Sequence, residues 1–510
     1  MPVAVASAHV LSPLRTSAVI VRPPRAALVV PATATEELKI RVPQLTAKAV
    51  SCGFRLTPAG STWQQGDVVQ CNIGDTSGIP EFRAIKIARQ RVMERMNAST
   101  GNPNPYTPYP GKVELRDFRA RNLLRHLQIP EDKLACFKLA PGEDIKSLVI
   151  LASGTVSSAA GIYAEVKMHK LIQNDGRDVK IAMDKTHYWK HDRIARDLGK
   201  AKFYEFMTVK DGALMLDASQ VQAFGADDGG VMVLNLGNPA AFTPTEANAR
   251  EFVTAIETWN EGHPGAEISV VIDDPYAMLD GHEGPGFRLG SLALQSKVRT
   301  VYSHARTKEE FQTGSRGGEV TANHPATRRI MTQYKNDYAG SESTTEQLIS
   351  EAIFADADLH AQFEREQIQG FKKIQERKKF FLTLLTRFST LNAGNPVGKK
   401  LRAIIQDSKP FLREKGAFYV FLNCKSLCSK TRNSDTISEL LASYGAVTVP
   451  GILFDADRAN PSGLNKDCVR LSFARFDEAS WRDQVFALTK AIGATCKVVC
   501  ELDAQTRSRL

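Results

Sequence analysis

The sequence predicts an α/β protein built on a mostly parallel sheet, followed by a smaller α+β region. Three observations carry this. Short apolar runs recur at LVIL (148–151), DVKIAMD (178–184), GGVMVLNLGNP (229–239), AEISVVIDDPY (266–276) and KVRTVYSH (297–304). Helical patterns stand between them, in AAGIYAEVKMHKLIQ, KHDRIARDLG and TPTEANAREFVTAIETWNEGH. A long charged helical stretch over roughly 345–388 then leads into a second region, with GAFYVFLN and CVRLSFARF as strands. Buried runs alternating with amphipathic helices are what a covered parallel sheet requires.

Each element has a local reason. LVIL is followed by the small residues Ser153-Gly154-Thr155, which open a helix. DVKIAMD is a strand that a polar segment separates from KHDRIARDLG. The helix after GGVMVLNLGNP has a Thr/Glu start signal in TPTEANAREF. In CVRLSFA, Val469, Leu471 and Phe473 fall on one strand face and Arg470, Ser472 and Ala474 on the other.

Bulk properties narrow the function classes. At 510 residues the chain exceeds one ordinary domain. Net charge is +10, but the basic residues are scattered and form no stripe interleaved with aromatics, so nucleic acid is not called for. The most apolar stretch, LVILASGTVSSAAGIYAEV, is broken by Gly, Ser and Thr and is not a membrane span. The eight cysteines are too dilute for a disulfide scaffold and suit a reducing compartment. CKSLC (424–428) and CKVVC (496–500) are conceivable zinc pairs; buried or free thiols fit their spacing better, and ATCKVVCELD reads as a strand or helix end. Residues 1–35 carry Arg15, Arg22 and Arg25 and no acid. The segment is expected to be a flexible arm of a cytoplasmic protein, the alternative being a transit peptide to mitochondrion or plastid.

In a sheet of this kind ligands collect at the carboxyl ends of the strands. Those ends deliver Ser153-Gly154-Thr155, Asn238-Pro239, Asp273 and Asp274 with Tyr276, then Lys308 and Arg316. Small hydroxylated residues at a helix start, with free backbone N–H groups, suit a phosphate. Singly these features read as an N-cap, a turn, a strand exit and a solvated loop. Their order on successive strand ends points to one site.

In that order the residues resemble the fold-type I pyridoxal-phosphate enzymes, specifically the class I/II aminotransferases, over roughly residues 60–490. The resemblance rests on Ser153-Gly154-Thr155, Asn238-Pro239, Asp273 with Tyr276, Lys308 with Gly314, Arg316 and Gly318, and Arg470 in CVRLSFA. NIGD, ending at Asp75, and YTPYPGKVELR (106–116) are similar to two upstream family segments. The resemblance implies a large domain, 100–340, with a mostly parallel seven-stranded sheet between helices. It implies a small α+β domain from 36–99 and 341–510, and a homodimer with shared active sites.

It also implies roles. Lys308 forms a Schiff base with pyridoxal 5'-phosphate and, once displaced, moves the substrate proton. Asp273 pairs with the pyridine nitrogen. Asn238 and Tyr276 hold the phenolic oxygen. Arg316 and the loop Ser153, Gly154 and Thr155 hold the phosphate, as does Tyr106 from the neighbouring subunit. Arg470 grips the substrate carboxylate, Gly74 lines the same pocket, and Tyr188 stacks on the ring, with His187 as the competing candidate. Ala305 in ARTK (305–308), Thr313 before Gly314 and the residues after Asn238-Pro239 in GNPAAF (237–242) depart from the family pattern. The implied function is amino transfer between an α-amino acid and a 2-oxo acid. The alternatives are a β-lyase, a decarboxylase, a carbon-chain synthase or a non-catalytic relative. The side chain accepted is open, with Arg288, Arg328 and Arg329 as candidate partners for a distal carboxylate.

Overall fold

The computed structural model describes residues 44–45, 47–48, 55–56, 67–72, 76–101, 107–154, 156–173, 178–225, 229–235, 237–276, 289–313, 315–340, 342–412, 417–429, 431–457, 461 and 463–508. The strands are β1 (Arg55–Leu56), β2 (Asp67–Gln70), β3 (Ile150–Ser153), β4 (Lys180–Asp184), β5 (Lys200–Tyr204), β6 (Met207–Lys210), β7 (Ala213–Leu216) and β8 (Gly229–Asn235). They continue as β9 (Glu267–Asp273), β10 (Thr300–His304), β11 (Gly317–Ala322), β12 (Tyr419–Asn423), β13 (Ala446–Val447), β14 (Val449–Pro450) and β15 (Cys468–Ser472).

Seven of these form the central sheet in the order β3-β11-β10-β9-β8-β4-β5. Only β11 runs antiparallel to its neighbours, β3 and β10; the other pairs are parallel. Every residue of β8 and β10 is buried, and β8 accordingly reads GGVMVLN with no polar–apolar alternation. Helix 156–173 crosses this sheet so closely that a Cβ on Gly161 would lie 2.6 Å from Val301 Cγ1. The start signal at residue 245 works as expected: Thr245 caps helix 246–262 and accepts from the Asn248 amide.

A second sheet, β12-β15-β14, carries Arg470. The alternation read in CVRLSFA does not separate core from solvent, because every residue of β15 is buried. β2 pairs in parallel with β13, so an early segment joins a late one in a third sheet. One core cluster likewise unites Val69, Ile79, Phe82 and Ile85 with Phe381, Leu401, Phe418 and Leu471.

Two local expectations need correction. The helical stretch 345–388 is two helices, 344–355 and 357–391. Asp356 starts the second by accepting from the amides of Asp358 and Leu359 at 3.1 and 3.0 Å. Cys496 and Cys500 lie inside helix 481–508, not at a strand or helix end. No group of three or more His, Cys, Asp or Glu among the described residues is arranged to hold a metal ion. No helix among them is long and apolar enough to cross a membrane.

Candidate active site

The parallel register brings strand ends together. Asn235 closes β8, Asp273 closes β9 opposite it, and Ser303 on β10 stands opposite Asp273. Asn235 Nδ2 donates to Asp273 Oδ2 at 2.6 Å, and the Ser303 hydroxyl lies 3.3 Å from Asp273 Oδ1. The next residue, Asp274, faces away and accepts from the Tyr302 hydroxyl at 3.3 Å. Adjacent strand residues point to opposite faces, so only Asp273 aims at the group of residues described here.

His191 was missed by sequence reasoning. Its Nε2 lies 3.4 Å from Asp273 Oδ2 and 3.1 Å from the Ser158 hydroxyl. It sits three residues past Tyr188, close to one helical turn, and that spacing was the available signal. Burial pushes its pKa down to about 4, so at neutral pH it meets Asp273 as a neutral imidazole.

Burial pushes the Asp273 carboxyl up to about 7, against the pull of the Asn235 and Ser303 hydrogen bonds and the nearby His304 charge. An acid raised in the folded state carries a stability cost that builds up from about pH 4, where the unfolded chain ionises, to about pH 7, where the folded group ionises, and stays at its full value above that. At most this costs on the order of 4 kcal/mol in the protein without a bound cation. Asp273→Asn is therefore expected to be the more stable chain at pH 8, with the advantage shrinking towards pH 4. Urea unfolding across that range checks it; an advantage independent of pH would remove the carboxyl as its cause.

Lys308 lies on a four-residue helix, 306–309, just beyond β10. Buried ion pairs anchor that helix from the opposite side. Arg119 donates to Glu309 Oε2 and Glu319 Oε2, both at 2.7 Å. Arg306 pairs with Glu310 at 3.0 Å and with Glu342. Removing one partner of such a pair typically costs about 3–5 kcal/mol. Lys308 itself reaches the aromatic side, where its Nζ lies 5.8 Å from the Tyr276 ring and 5.7 Å from Phe418.

Arg470 is 3% exposed, and the deep burial of a guanidinium demands partners. Its Nη1 donates to Asn238 Oδ1 at 2.6 Å and its Nη2 to the Asn72 carbonyl at 2.9 Å. Its Nε has no hydrogen-bond partner among the described residues. Tyr419, Phe454 and Trp189 surround the guanidinium, with ring centroids 4.3, 5.1 and 6.0 Å from Cζ. Tyr276 hydrogen-bonds Tyr419 through the two hydroxyls at 2.9 Å. Asn238 is held by its backbone N–H, which donates to Asn235 Oδ1 at 3.1 Å.

At the sheet edge, Ser153 ends β3 opposite Gly317. Gly154 follows at φ +50°, and a Cβ there would lie 2.7 Å from an Arg316 guanidinium nitrogen. Arg316 is exposed and has φ 61°. Tyr188 immediately precedes helix 189–198, edge-on to His191 with centroids 5.5 Å apart. His187 is buried instead against Phe203, with Nδ1 3.1 Å from the Asp184 carbonyl. Thr155, Tyr106, Gly74, Asp75, Gly314, Arg288 and residues 1–35 lie outside the described residues. Arg328 is engaged elsewhere, with Glu143 and the carbonyls of Phe137 and Ala322, and Arg329 is exposed beside it on helix 325–334. That helix follows the far end of β11, so neither arginine reaches the strand ends described above.

Buried carboxylate, lysine, paired phenols and a buried arginine with a free N–H thus meet at the carboxyl edge of a parallel sheet. Solved structures share the fold. An aspartate aminotransferase from Thermus thermophilus, solved with maleate, is 17% identical and superposes with a TM-score of 0.62 over 88% of this chain and 96% of its own. An aromatic aminotransferase from Pyrococcus horikoshii is 17% identical, with a TM-score of 0.61 over 86% and 96%. An aspartate aminotransferase from Rhodobacter sphaeroides is 16% identical, with a TM-score of 0.60 over 88% and 98%. The chain has the aminotransferase fold, the fold-type I architecture. No protein-family model and no curated protein matches the sequence.

Proposed function

We propose that this protein is a pyridoxal-phosphate-dependent aminotransferase that moves an amino group between an α-amino acid and a 2-oxo acid. The observation that carries the reading is convergence. Lys308, Tyr276, Tyr419 and Arg470 form one continuous set of contacts, and Arg470 closes it onto Asn238 beside Asp273's partner Asn235.

The residues fit the cofactor. Asp273 is a buried carboxyl whose own partners leave its charge uncompensated, which suits a cationic ring nitrogen. The Cβ-free surface of Gly154 against Arg316 suits a phosphate, and Ser153, Thr155 and the partner-directed Tyr106 complete that cradle in our reading. Bound there, pyridoxal phosphate supplies an electron sink for the bond broken at the substrate Cα.

The chain does the rest. Lys308 would hold the cofactor through its side-chain amine and would carry the proton from the substrate Cα. Asp273 keeps the ring nitrogen protonated, and His191 orients Asp273. Asn238 and Tyr276 serve the phenolic oxygen, and Tyr188 covers the ring. Arg470 orients the substrate through its carboxylate, with Gly74 lining the pocket, which fixes the Cα–H bond towards Lys308. Residues 36–99 and 341–510 form the small domain in this reading, supported by the β2–β13 pairing and the shared core. The active form is a homodimer in the cytoplasm.

The test uses purified protein loaded with pyridoxal phosphate and given single amino acids. Conversion of the cofactor to its amine form, with one equivalent of 2-oxo acid, is expected. Release of ammonia, thiol or carbon dioxide without that conversion would replace amino transfer with lyase or decarboxylase chemistry.

A further inference from the structure

We propose that the amino edge of the central sheet, under the start of helix 325–334, binds one small tetrahedral oxyanion of the phosphate type. The inference does not depend on the function proposed above.

Register gathers the donors. Val301 stands opposite Ala322 on the antiparallel β10–β11 pair, and the Asn323 amide donates to the Thr300 carbonyl at 3.1 Å. One step further out, the same register sets Arg299 against His324, the residue that precedes helix 325–334. Glu165 fixes the arginine at that helix start. One of its carboxylate oxygens accepts from Arg299 Nε at 2.6 Å and the other from the Thr327 hydroxyl at 2.9 Å. Arg299 Nη1 donates to Glu267 at 2.5 Å. Its Nη2 has no partner among the described residues, although Arg299 is only 6% exposed. Arg328 enters from the helix, with Nη1 on the carbonyls of Phe137 and Ala322 and Nη2 on Glu143. Its Nε and His324 Nδ1 likewise have no partner among the described residues.

Three buried nitrogens thus lack acceptors around one helix start. The His324 side chain does not cap the helix, and the amides of Ala326 and Thr327, in its first turn, have no intrahelical acceptor. Buried donors without acceptors are costly, and an anion relieves several at once. So many donors, from two strands and a helix, suit the four oxygens of a tetrahedral anion better than the two of a carboxylate. Burial and then Arg299 hold the His324 ring below its usual pKa, with Lys138 and Arg328 adding to the effect and Glu165 opposing it. Arg299, Arg328, Arg329 and Lys138 outnumber Glu143, Glu165 and Glu267 by one here. His324, Pro325 and Ala326 are half-buried and Lys138 is exposed, which leaves a way in from solvent. From Arg299 to His304, at the other end of β10, is five residue steps, roughly 17 Å. The site is therefore separate from Gly154 and Arg316.

The test is calorimetric titration of the full chain, saturated with pyridoxal phosphate, with inorganic phosphate in chloride buffer of constant ionic strength. One saturable phosphate per chain is expected. His324→Leu removes one donor and no cap, and should weaken binding by about tenfold or more. Lys138→Glu reverses an exposed charge while the buried ion pairs stay intact, and should weaken it about three- to tenfold. Both should keep the parent's urea midpoint in chloride. Arg316→Ala should bind phosphate as the parent does. No saturable uptake by the parent overturns the proposal, as does parent affinity in His324→Leu. If His324→Leu does not fold, Lys138→Glu decides in the same way. Loss of binding in Arg316→Ala moves the ion to the cradle at Gly154 and overturns it too. Acetate bound as tightly as phosphate would replace the tetrahedral anion with a carboxylate.

Discussion

Lys308→Ala is expected to abolish amino transfer, lowering kcat by at least about four orders of magnitude, because one amine serves as both covalent anchor and proton carrier. The fold should survive. Lys308 lies among Tyr276 and Phe418 rather than within the ion pairs that hold its helix, so its removal leaves Arg119, Glu309 and Glu319 paired. The variant should still take up cofactor through the Arg316 side of the site, with weaker retention on dialysis. In the parent, borohydride should fix the cofactor to the peptide containing Lys308. An adduct on Lys297 or on the buried Lys335 would overturn the assignment and every role that depends on it. Lys335 is the more serious competitor, since burial pushes its pKa down to about 8.

Arg470→Lys should raise KM for amino acid and oxo acid alike by about tenfold or more, the equivalent of one charge-assisted hydrogen bond. It should also lower kcat. Arg470 is held by two fixed contacts, to Asn238 and to the Asn72 carbonyl, that a single ammonium cannot reproduce together. A substrate carboxylate held off-axis presents its Cα–H bond poorly to Lys308. Cofactor affinity should stay near the parent value, as Arg470 is on the substrate side. Steady-state kinetics with both substrate classes decide the matter. Unchanged constants would take Arg470 out of the site and favour a substrate without a free carboxylate.

The residues legible in the sequence are those that strand order presents. Asn238, Asp273, Tyr276, Lys308 and Arg316 follow successive strands, so chain order and spacing stand in for geometry. The separation of Asp273 from Asp274 followed from the pleat alone. What stayed hidden came from long-range packing. Ser303 shares a strand with the expected sheet residues, but only the β9–β10 register brings it to Asp273. Tyr419 read as an apolar strand residue in GAFYVFLN until β12 paired with β15 beneath Arg470. The buried acids Glu309 and Glu310 directly after Lys308 looked like a solvated run, because Arg119 and Arg306, which neutralise them, are brought in by the fold. The arginines 328 and 329 erred the other way, since position in the chain says nothing about which end of β11 a following helix occupies.

The pairing of β2 with β13 has a consequence for synthesis. Val69 and Gln70 cannot find their partners, Ala446 and Val447, until nearly the whole chain has left the ribosome. At usual elongation speeds that wait is on the order of twenty seconds to more than a minute. Throughout it β2 has only the two-residue β1 as a strand partner, and the side that β13 will cover stays open, while the central seven strands can already assemble. A stalled or truncated chain that ends before residue 446 leaves β2 without its β13 partner.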